Sequence, residues 1–81
     1  MEHEQEGKWS RAVAATLRSE RGVARMNQVE TARKAGISRS SYRLYEKEER
    51  QPTAVQLAAI SDAFGVTLVH FVAEVARRAS E

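Results

Sequence analysis

Basic side chains cluster in one short stretch of the sequence, residues 32–46, which reads ARKAGISRSSYRLYE. Four basic residues and two tyrosines surround a single glycine there. Guanidinium groups donate paired hydrogen bonds to phosphate and carboxylate oxygens, and hydroxyl groups both donate and accept. The stretch is therefore either a surface turn with solvated charges or the part of the protein that binds a polyanion.

Catalytic chemistry has little support in the sequence. The serines of the stretch have no histidine or paired acid near them to activate a hydroxyl, and glycine-rich phosphate loops are missing. The chain has no cysteine, which excludes disulfides, zinc-finger sites and thiol catalysis. His3 and His70 are too far apart in the sequence, and have too few possible metal ligands near them, to indicate a metal site. We therefore expect no enzyme activity, no cofactor and no bound metal.

The charge of the chain is unevenly distributed. Residues 11–50 contain ten Lys or Arg and five Glu, whereas the remainder contains three Lys or Arg and six Asp or Glu, for a net charge of +2. A basic middle favours a polyanionic partner because binding releases the partner's counterions. An ordinary solvated face would carry the same charge.

The length of the chain, 81 residues, suits one small domain. No apolar run approaches the roughly 18 residues that a membrane helix needs, and the acidic opening MEHEQEG lacks the regions of a signal peptide. We expect an acidic tail at residues 1–9, one domain at residues 10–79 and a cytoplasmic protein.

The hydrophobic pattern predicts five helices and no strand of useful length. Serine, threonine and asparagine precede the apolar segments, where they can cap helices, and glycines follow them. The predicted caps are Ser10, Asn27, Ser38, Thr53 and Thr67, and the predicted stops are Gly22, Gly36 and Gly65. Glu30 and Gln56 lie where they complete capping boxes with Asn27 and Thr53. The fold class is therefore all-α.

The opening stretch is predicted to form a helix, a tight turn and a second helix. Gly36 can take the positive φ that ends the first helix, Ile37 can fill the core and Ser38 can cap the helix at residues 39–47. The side chains of this second helix divide by their spacing between an outer and an inner face. Its outer face carries Arg39, Ser40 and Arg43, and its inner face carries Tyr42 and Tyr45.

Two short helices joined by a glycine-containing turn match the helix-turn-helix of DNA readers. From about Ser10 to Phe71, the chain resembles the lambda-repressor/Cro-like (XRE) family of DNA-binding domains. The motifs that carry the resemblance are LRSERG, AGISRSSYRLYE, RQP and LAAISDAFGVT. The resemblance implies a compact five-helix bundle and a bacterial or phage regulator of transcription, most often a repressor, that binds specific sequences of double-stranded DNA.

The resemblance also implies which residues bind DNA. Helix 39–47 would enter the major groove, where an arginine can bond guanine O6 and N7, and helix 27–35 would cross the backbone. The implied base contacts are Arg39, Ser40, Arg43 and Leu44, and the implied phosphate contacts are Asn27, Gln28, Lys47 and Arg50. Leu44 could instead pack. Arg33 and Lys34 stay undecided between backbone contact and solvation.

The resemblance also implies a partly buried ion pair between Arg18 of the first helix and Glu46 of the recognition helix. The chain departs from the family elsewhere. The connection RGVARMNQ looks about three residues longer than usual, which could add Arg25 as a backbone contact or only lengthen a loop. Glu48 stands where glycine is usual, and we expect Glu48 and Glu49 to turn away from DNA or to pair with basic residues.

Two tyrosines replace smaller aliphatic residues of the family in the recognition helix. Thr31 and Ala35, on the facing helix, stand where larger residues are common. Exchange of volume across the helix pair explains both departures, because cores tolerate swaps that conserve volume. Alternatively, the hydroxyl of Tyr42 or Tyr45 points outward to a phosphate.

The last predicted helix has an apolar face broader than one side of a small domain needs. Leu68, Phe71 and Val75 can fill the core. The remaining apolar residues, Val69, Val72, Ala73 and Ala76, form a patch that a second subunit could cover. We expect a homodimer on a near-palindromic operator. One alternative is an antitoxin-like or adaptor protein that binds a protein partner through this helix and uses DNA binding for autoregulation. Another is a non-specific nucleic-acid binder.

Overall fold

The computed structural model describes the backbone of residues 2–81 and the side chains of residues 7–81. The helices are α1 (Glu2–Val23), α2 (Gln28–Ala35), α3 (Arg39–Glu46), α4 (Ala54–Phe64) and α5 (Leu68–Ala79). Over residues 2–81 the structure contains no strand, so the predicted five-helix, all-α fold is confirmed. The predicted acidic tail lies mostly in residues 1–6, whose side chains are outside the described residues.

Side-chain caps start four of the five helices, as predicted. Asn27 accepts a hydrogen bond from the Glu30 amide at 2.8 Å, and the Glu30 carboxylate accepts one from the Asn27 amide at 3.3 Å. Thr53 and Gln56 form the same reciprocal box at the start of α4, at 3.1 and 2.9 Å. Ser38 and Thr67 cap α3 and α5. Each cap satisfies an amide that has no acceptor inside its helix.

The first helix is longer than the sequence predicted at both ends. Ser10 and Gly22 both lie inside α1, so Ser10 is not its N-cap and Gly22 is not its stop. The residues before Ser10 include no proline and are rich in Glu, Gln and Lys, which favour helix, so nothing stops the helix there. The Ser10 hydroxyl accepts a hydrogen bond from Gln51 instead, at 2.9 Å.

Left-handed residues follow the ends of four helices and turn the chain. Gly36 and Gly65 have φ of 70° and 80°, as expected for glycine, but Arg25 and Glu48 take the same region with φ of 58° and 66°. At the end of α1, the amides of Arg25 and Met26 bond the carbonyls of Gly22 and Arg21, a pairing typical of a left-handed helix stop.

The connection between α1 and α2 is therefore only residues 24–27. The extra length that the sequence suggested is not a loop, because α1 takes up Gly22 and Val23 and ends with the left-handed turn at Arg25. Glu48, where the resemblance implies a glycine, has a positive φ, and the Glu49 amide bonds the Leu44 carbonyl at 3.0 Å.

The core is formed by residues from all five helices. Leu17, Tyr42, Ile60 and Phe71 are completely buried, and Ala32 of α2 is nearly so. Burial of a large apolar side chain contributes about 1.5–3 kcal/mol. Helix α1 packs against α3 and α5, and α2 packs against α3 and α4. The short helix α3 is thus held between α1 and α2.

Among residues 2–81, no single helix is long and apolar enough to cross a membrane. Helices α4 and α5 meet the requirements of length and composition only when taken together, and a bend of 105° separates them.

Glu48→Gly should stabilise the fold. A residue with a side chain costs about 1–2 kcal/mol in the left-handed region, and the greater freedom of glycine in the unfolded chain offsets about 0.5–1 kcal/mol of the relief. We expect the free energy of unfolding in urea to rise by about 0.5–1 kcal/mol. The neighbouring Glu49→Gly, at a position without positive φ, should lower it. A loss of stability in Glu48→Gly as large as that in Glu49→Gly would contradict the assignment of strain.

Candidate nucleic-acid interface

Helices α2 and α3 are joined by a turn of three residues, as the sequence predicted. Gly36 takes the left-handed conformation and its amide bonds the carbonyls of the last turn of α2. Ile37 is half-buried and packs on the core, and Ser38 accepts a hydrogen bond from the Ser41 amide at 3.1 Å to start α3. The turn thus places two short helices against each other.

The outward face of α3 carries the side chains that were predicted to contact bases. Arg39, Ser40 and Arg43 are exposed, and Leu44 is half-buried. Arg39 and Arg43 are one helical turn apart, so their guanidinium groups share a face. Neither forms an ion pair with a side chain among residues 7–81. This face can donate hydrogen bonds to an approaching acceptor without first breaking such a pair.

Both tyrosines of α3 point into the protein, and their rings meet edge to face with centroids 6.4 Å apart. Tyr42 is fully buried, and its hydroxyl makes no hydrogen bond to the described residues. Burial, reinforced by the nearby Glu46 carboxylate, raises the pKa of Tyr42 far above its ordinary value. The Tyr45 hydroxyl donates to Gln56 at 2.9 Å. Neither hydroxyl reaches outward, which favours the exchange of volume over a phosphate contact.

The residues at the start of α2 are only partly free to bind a ligand. Asn27 uses its main-chain amide and its side-chain oxygen in the capping box, which leaves its side-chain NH2 group as a donor. The Gln28 side chain donates to the Glu46 carboxylate at 3.0 Å. The first main-chain amides of α2 have no acceptor within their helix, so they can face an anion.

The loop after α3 folds back so that one of its basic residues contacts that helix. Arg50 donates a hydrogen bond to the Ser41 hydroxyl at 3.1 Å, and Lys47, just past the end of α3, is exposed. Glu48 and Glu49 are also exposed and form no ion pair with the side chains of residues 7–81. The pairing that the sequence allowed for these two glutamates is absent from the described part of the chain.

The buried Glu46 carboxylate is the electrostatic centre of this region. Arg21 holds it with two hydrogen bonds, of 2.8 and 3.1 Å, and also donates to the Met26 carbonyl at 3.1 Å. Burial alone would raise the pKa of Glu46, but the hydrogen bonds from Arg21 and Gln28 outweigh it and lower that pKa. The bond to Glu46 also raises the pKa of Arg21. This network joins α1, α2 and α3.

The ion pair predicted between Arg18 and Glu46 is therefore corrected. Arg18 is exposed and donates at 2.7 Å to the main-chain carbonyl of Glu46, while Arg21 binds its carboxylate. Arg21 lies one turn after Arg18 on α1, so both side chains reach the end of α3, and the guanidinium group of Arg21 is the one that meets the carboxylate. Sequence reasoning also missed Ser41 and Ser10, the two hydroxyls that bond the loop after α3.

The described residues do not form a metal-binding site. Among residues 7–81, no three His, Asp or Glu side chains group as metal ligands. His70 lies on the surface of α5, as expected, with its ring nitrogen 3.4 Å from the Glu20 carboxylate.

The arrangement of α2, turn and α3, with its basic outer face, defines a helix-turn-helix protein. A comparison with protein-family models agrees, because the helix-turn-helix family HTH_3 matches residues 17–71. The chain belongs to this family of lambda-repressor/Cro-like, XRE-type DNA-binding domains, and is a DNA-binding transcription regulator in general terms. Searches of curated proteins and of solved structures found no match.

Glu46→Gln should weaken the fold at neutral pH by about 3 kcal/mol, because it leaves the Arg21 charge without its partner. The pKa of Glu46 is lowered in the folded protein, so its carboxylate stabilises the fold fully above the ordinary pKa of 4.5. That contribution is lost as the pH falls through the folded pKa. Urea unfolding from pH 7 to pH 3 should therefore show the wild-type advantage shrinking only below about pH 4.5.

The control for this measurement is Glu49→Gln, which removes an exposed carboxylate that has no ion pair among the described side chains. Its stability should follow that of the wild type over the whole pH range. A difference between wild type and Glu46→Gln that stays constant down to pH 3 would show that the charge of Glu46 does not stabilise the fold.

Proposed function

We propose that the protein is a transcriptional repressor that binds a specific DNA sequence as a dimer and acts by occupying promoter DNA in the cytoplasm of a bacterium or of a phage-infected cell. The observation that carries the proposal is the outer face of α3, where two exposed arginines follow a tight helix-turn-helix turn. The buried network around Glu46 supports it, because it fixes this face relative to α2.

The outer face of α3 would read bases in the major groove. Arg39, at the first position of α3, would bond guanine O6 and N7 with both arms of its guanidinium group. Ser40 can donate or accept and discriminates less, while Arg43 lies one turn further along the same face. Leu44 is half-buried, so only part of its side chain is available for a thymine methyl group.

The phosphate backbone would be held on both sides of α3. On one side are Asn27 and Gln28, through the free NH2 group of Asn27 and the first amides of α2. On the other side are Lys47 and Arg50, which follow α3. The bond from Arg50 to Ser41 supports this role, because it holds the guanidinium group beside the recognition helix.

The apolar face of α5 would join two subunits. Phe71 and Val75 fill the core, while Val69 and Val72 are 79% and 49% exposed. The exposed apolar residues of α5 repeat at helical spacing and form one stripe. They are Val69, Val72, Ala73 and Ala76. Two domains joined there could read half-sites about 34–36 Å apart, one turn of DNA, on a near-palindromic operator.

Two alanine substitutions separate base reading from phosphate binding. Arg39→Ala should cost roughly 1–3 kcal/mol on the operator and relax the preference at one base pair. Arg50→Ala should weaken binding to all sequences about equally. The operator is first recovered by selection from random DNA. The dissociation constant is then measured for operator duplexes in which each base pair is varied in turn. If both variants lose equal affinity on every sequence, Arg39 does not read a base.

Measurement of the molecular mass of the protein in solution tests for the dimer. The protein component should amount to two chains of 9.1 kDa at micromolar concentration, on its own or in the complex with operator DNA. Val72→Glu should be monomeric and bind the operator more weakly. The matched control is Val55→Glu on α4, at a position 81% exposed, which should leave the mass unchanged. A wild type that stays monomeric with DNA would exclude the homodimer and favour the antitoxin-like or adaptor alternative, in which another protein covers α5.

A further inference from the structure

The middle of α1 carries a basic surface, much of it outside the region that the family model matches. Residues 7–18 contain three basic side chains and no acidic one. Arg11, before the matched residues 17–71, and Arg18 are both exposed. They are seven positions apart, so they share one face of α1 at a separation of about 10 Å along the axis.

Arg18 fixes one end of this surface to the recognition helix. Its guanidinium group donates at 2.7 Å to the main-chain carbonyl of Glu46, the last residue of α3. A cation is favourable there because it offsets the partial negative charge at the end of a helix. A guanidinium group has five N–H donors, so one bond to a carbonyl leaves others for an anion.

Helix α1 contacts the loop that follows the recognition helix one residue before Arg11. The preceding residue, Ser10, accepts a hydrogen bond from Gln51 at 2.9 Å. Gln51 in turn follows Arg50, whose guanidinium group is bonded to Ser41 of α3. The turn of α1 that carries Arg11 is thus attached to the same loop as the proposed phosphate ligand Arg50.

We propose that the face of α1 with Arg11 and Arg18 binds phosphate groups of the DNA backbone and extends the contact made by Arg50. The inference rests on the proposed function, since it takes α3 as the helix that enters the groove. Each arginine then neutralises one phosphate and releases its counterion, so each contributes to the salt dependence of binding but not to base preference.

The test compares Arg11→Gln, Arg18→Gln and the double variant with the wild type. Glutamine removes the charge and keeps an amide donor for the Glu46 carbonyl. The probes are a short duplex with the operator recovered by selection and a mixed-sequence duplex of the same length. We expect each substitution to reduce the magnitude of the negative slope of log Kobs against log salt by about 0.9 for each bound subunit. Binding to both duplexes should weaken roughly five- to tenfold for each bound subunit at about 0.1 M salt.

The matched control is Arg77→Gln, which removes an exposed arginine of α5 that pairs with Glu74 and Glu81. It should leave the slope unchanged. If Arg77→Gln reduces the magnitude of the slope as much as Arg11→Gln does, the effect is one of net charge and the inference is overturned. An unchanged slope in Arg11→Gln, which should fold normally even if Arg18→Gln does not, would overturn it too and leave the proposed function standing. If the wild type binds neither duplex at low salt, the proposed function itself fails.

Discussion

The hydrogen-bonded carboxylate of Glu46 is the interaction on which the rest of the structure depends. It is a charged group within the interior, and it is tolerated because Arg21 and Gln28 donate to it. An unpaired charge at this position would cost several kcal/mol. Arg21 belongs to α1, Gln28 is the first residue of α2, and Glu46 is the last residue of α3. One polar group therefore sets the geometry of three helices.

That geometry gives α3 two different faces. Inward, both tyrosines are buried in the core, so neither phenol is exposed to a ligand. Outward, Arg39 and Arg43 stand on a helix of only eight residues, too short to be stable on its own in water. The direction of their side chains therefore depends on tertiary contacts. This dependence links the stability of the domain to its capacity to read DNA.

The loop after α3 is held in a similar way, by contacts between its side chains and other helices. Gln51 reaches α1 and Arg50 reaches α3, while the left-handed residue Glu48 turns the chain between the end of α3 and these two residues. The contacts spread the basic groups of the loop and of α1 around the end of the recognition helix. A DNA phosphate backbone that lies across this end of the helix could contact all of these basic groups.

Local patterns were sufficient to predict much of this architecture from the sequence. The capping boxes at Asn27 and Thr53 and the glycine stops at Gly36 and Gly65 were correct because each involves residues a few positions apart. Helical spacing also separated the inner and outer faces of α3. It identified the exposed stripe of α5 for the same reason.

Contacts between distant segments could not be predicted in the same way. Arg18 and Arg21 are three positions apart and share a side of α1, so the choice between them depends on how α1 packs against α3. The end of α1 was also misplaced, because Gly22 looks like a stop, whereas Arg25 takes the left-handed turn. The bond from Gln51 to Ser10 spans 41 residues, and no local pattern indicates it.

The most direct test of the central claim, that α3 and its flanking residues form the DNA-binding surface, is NMR mapping of the main-chain amides as operator duplex is added to labelled protein. The account predicts the largest shift changes in residues 27–29, 39–44 and 47–51, with smaller changes in the core. Changes confined to α5 or to α4, with the amides of α3 unmoved at saturation, would contradict it.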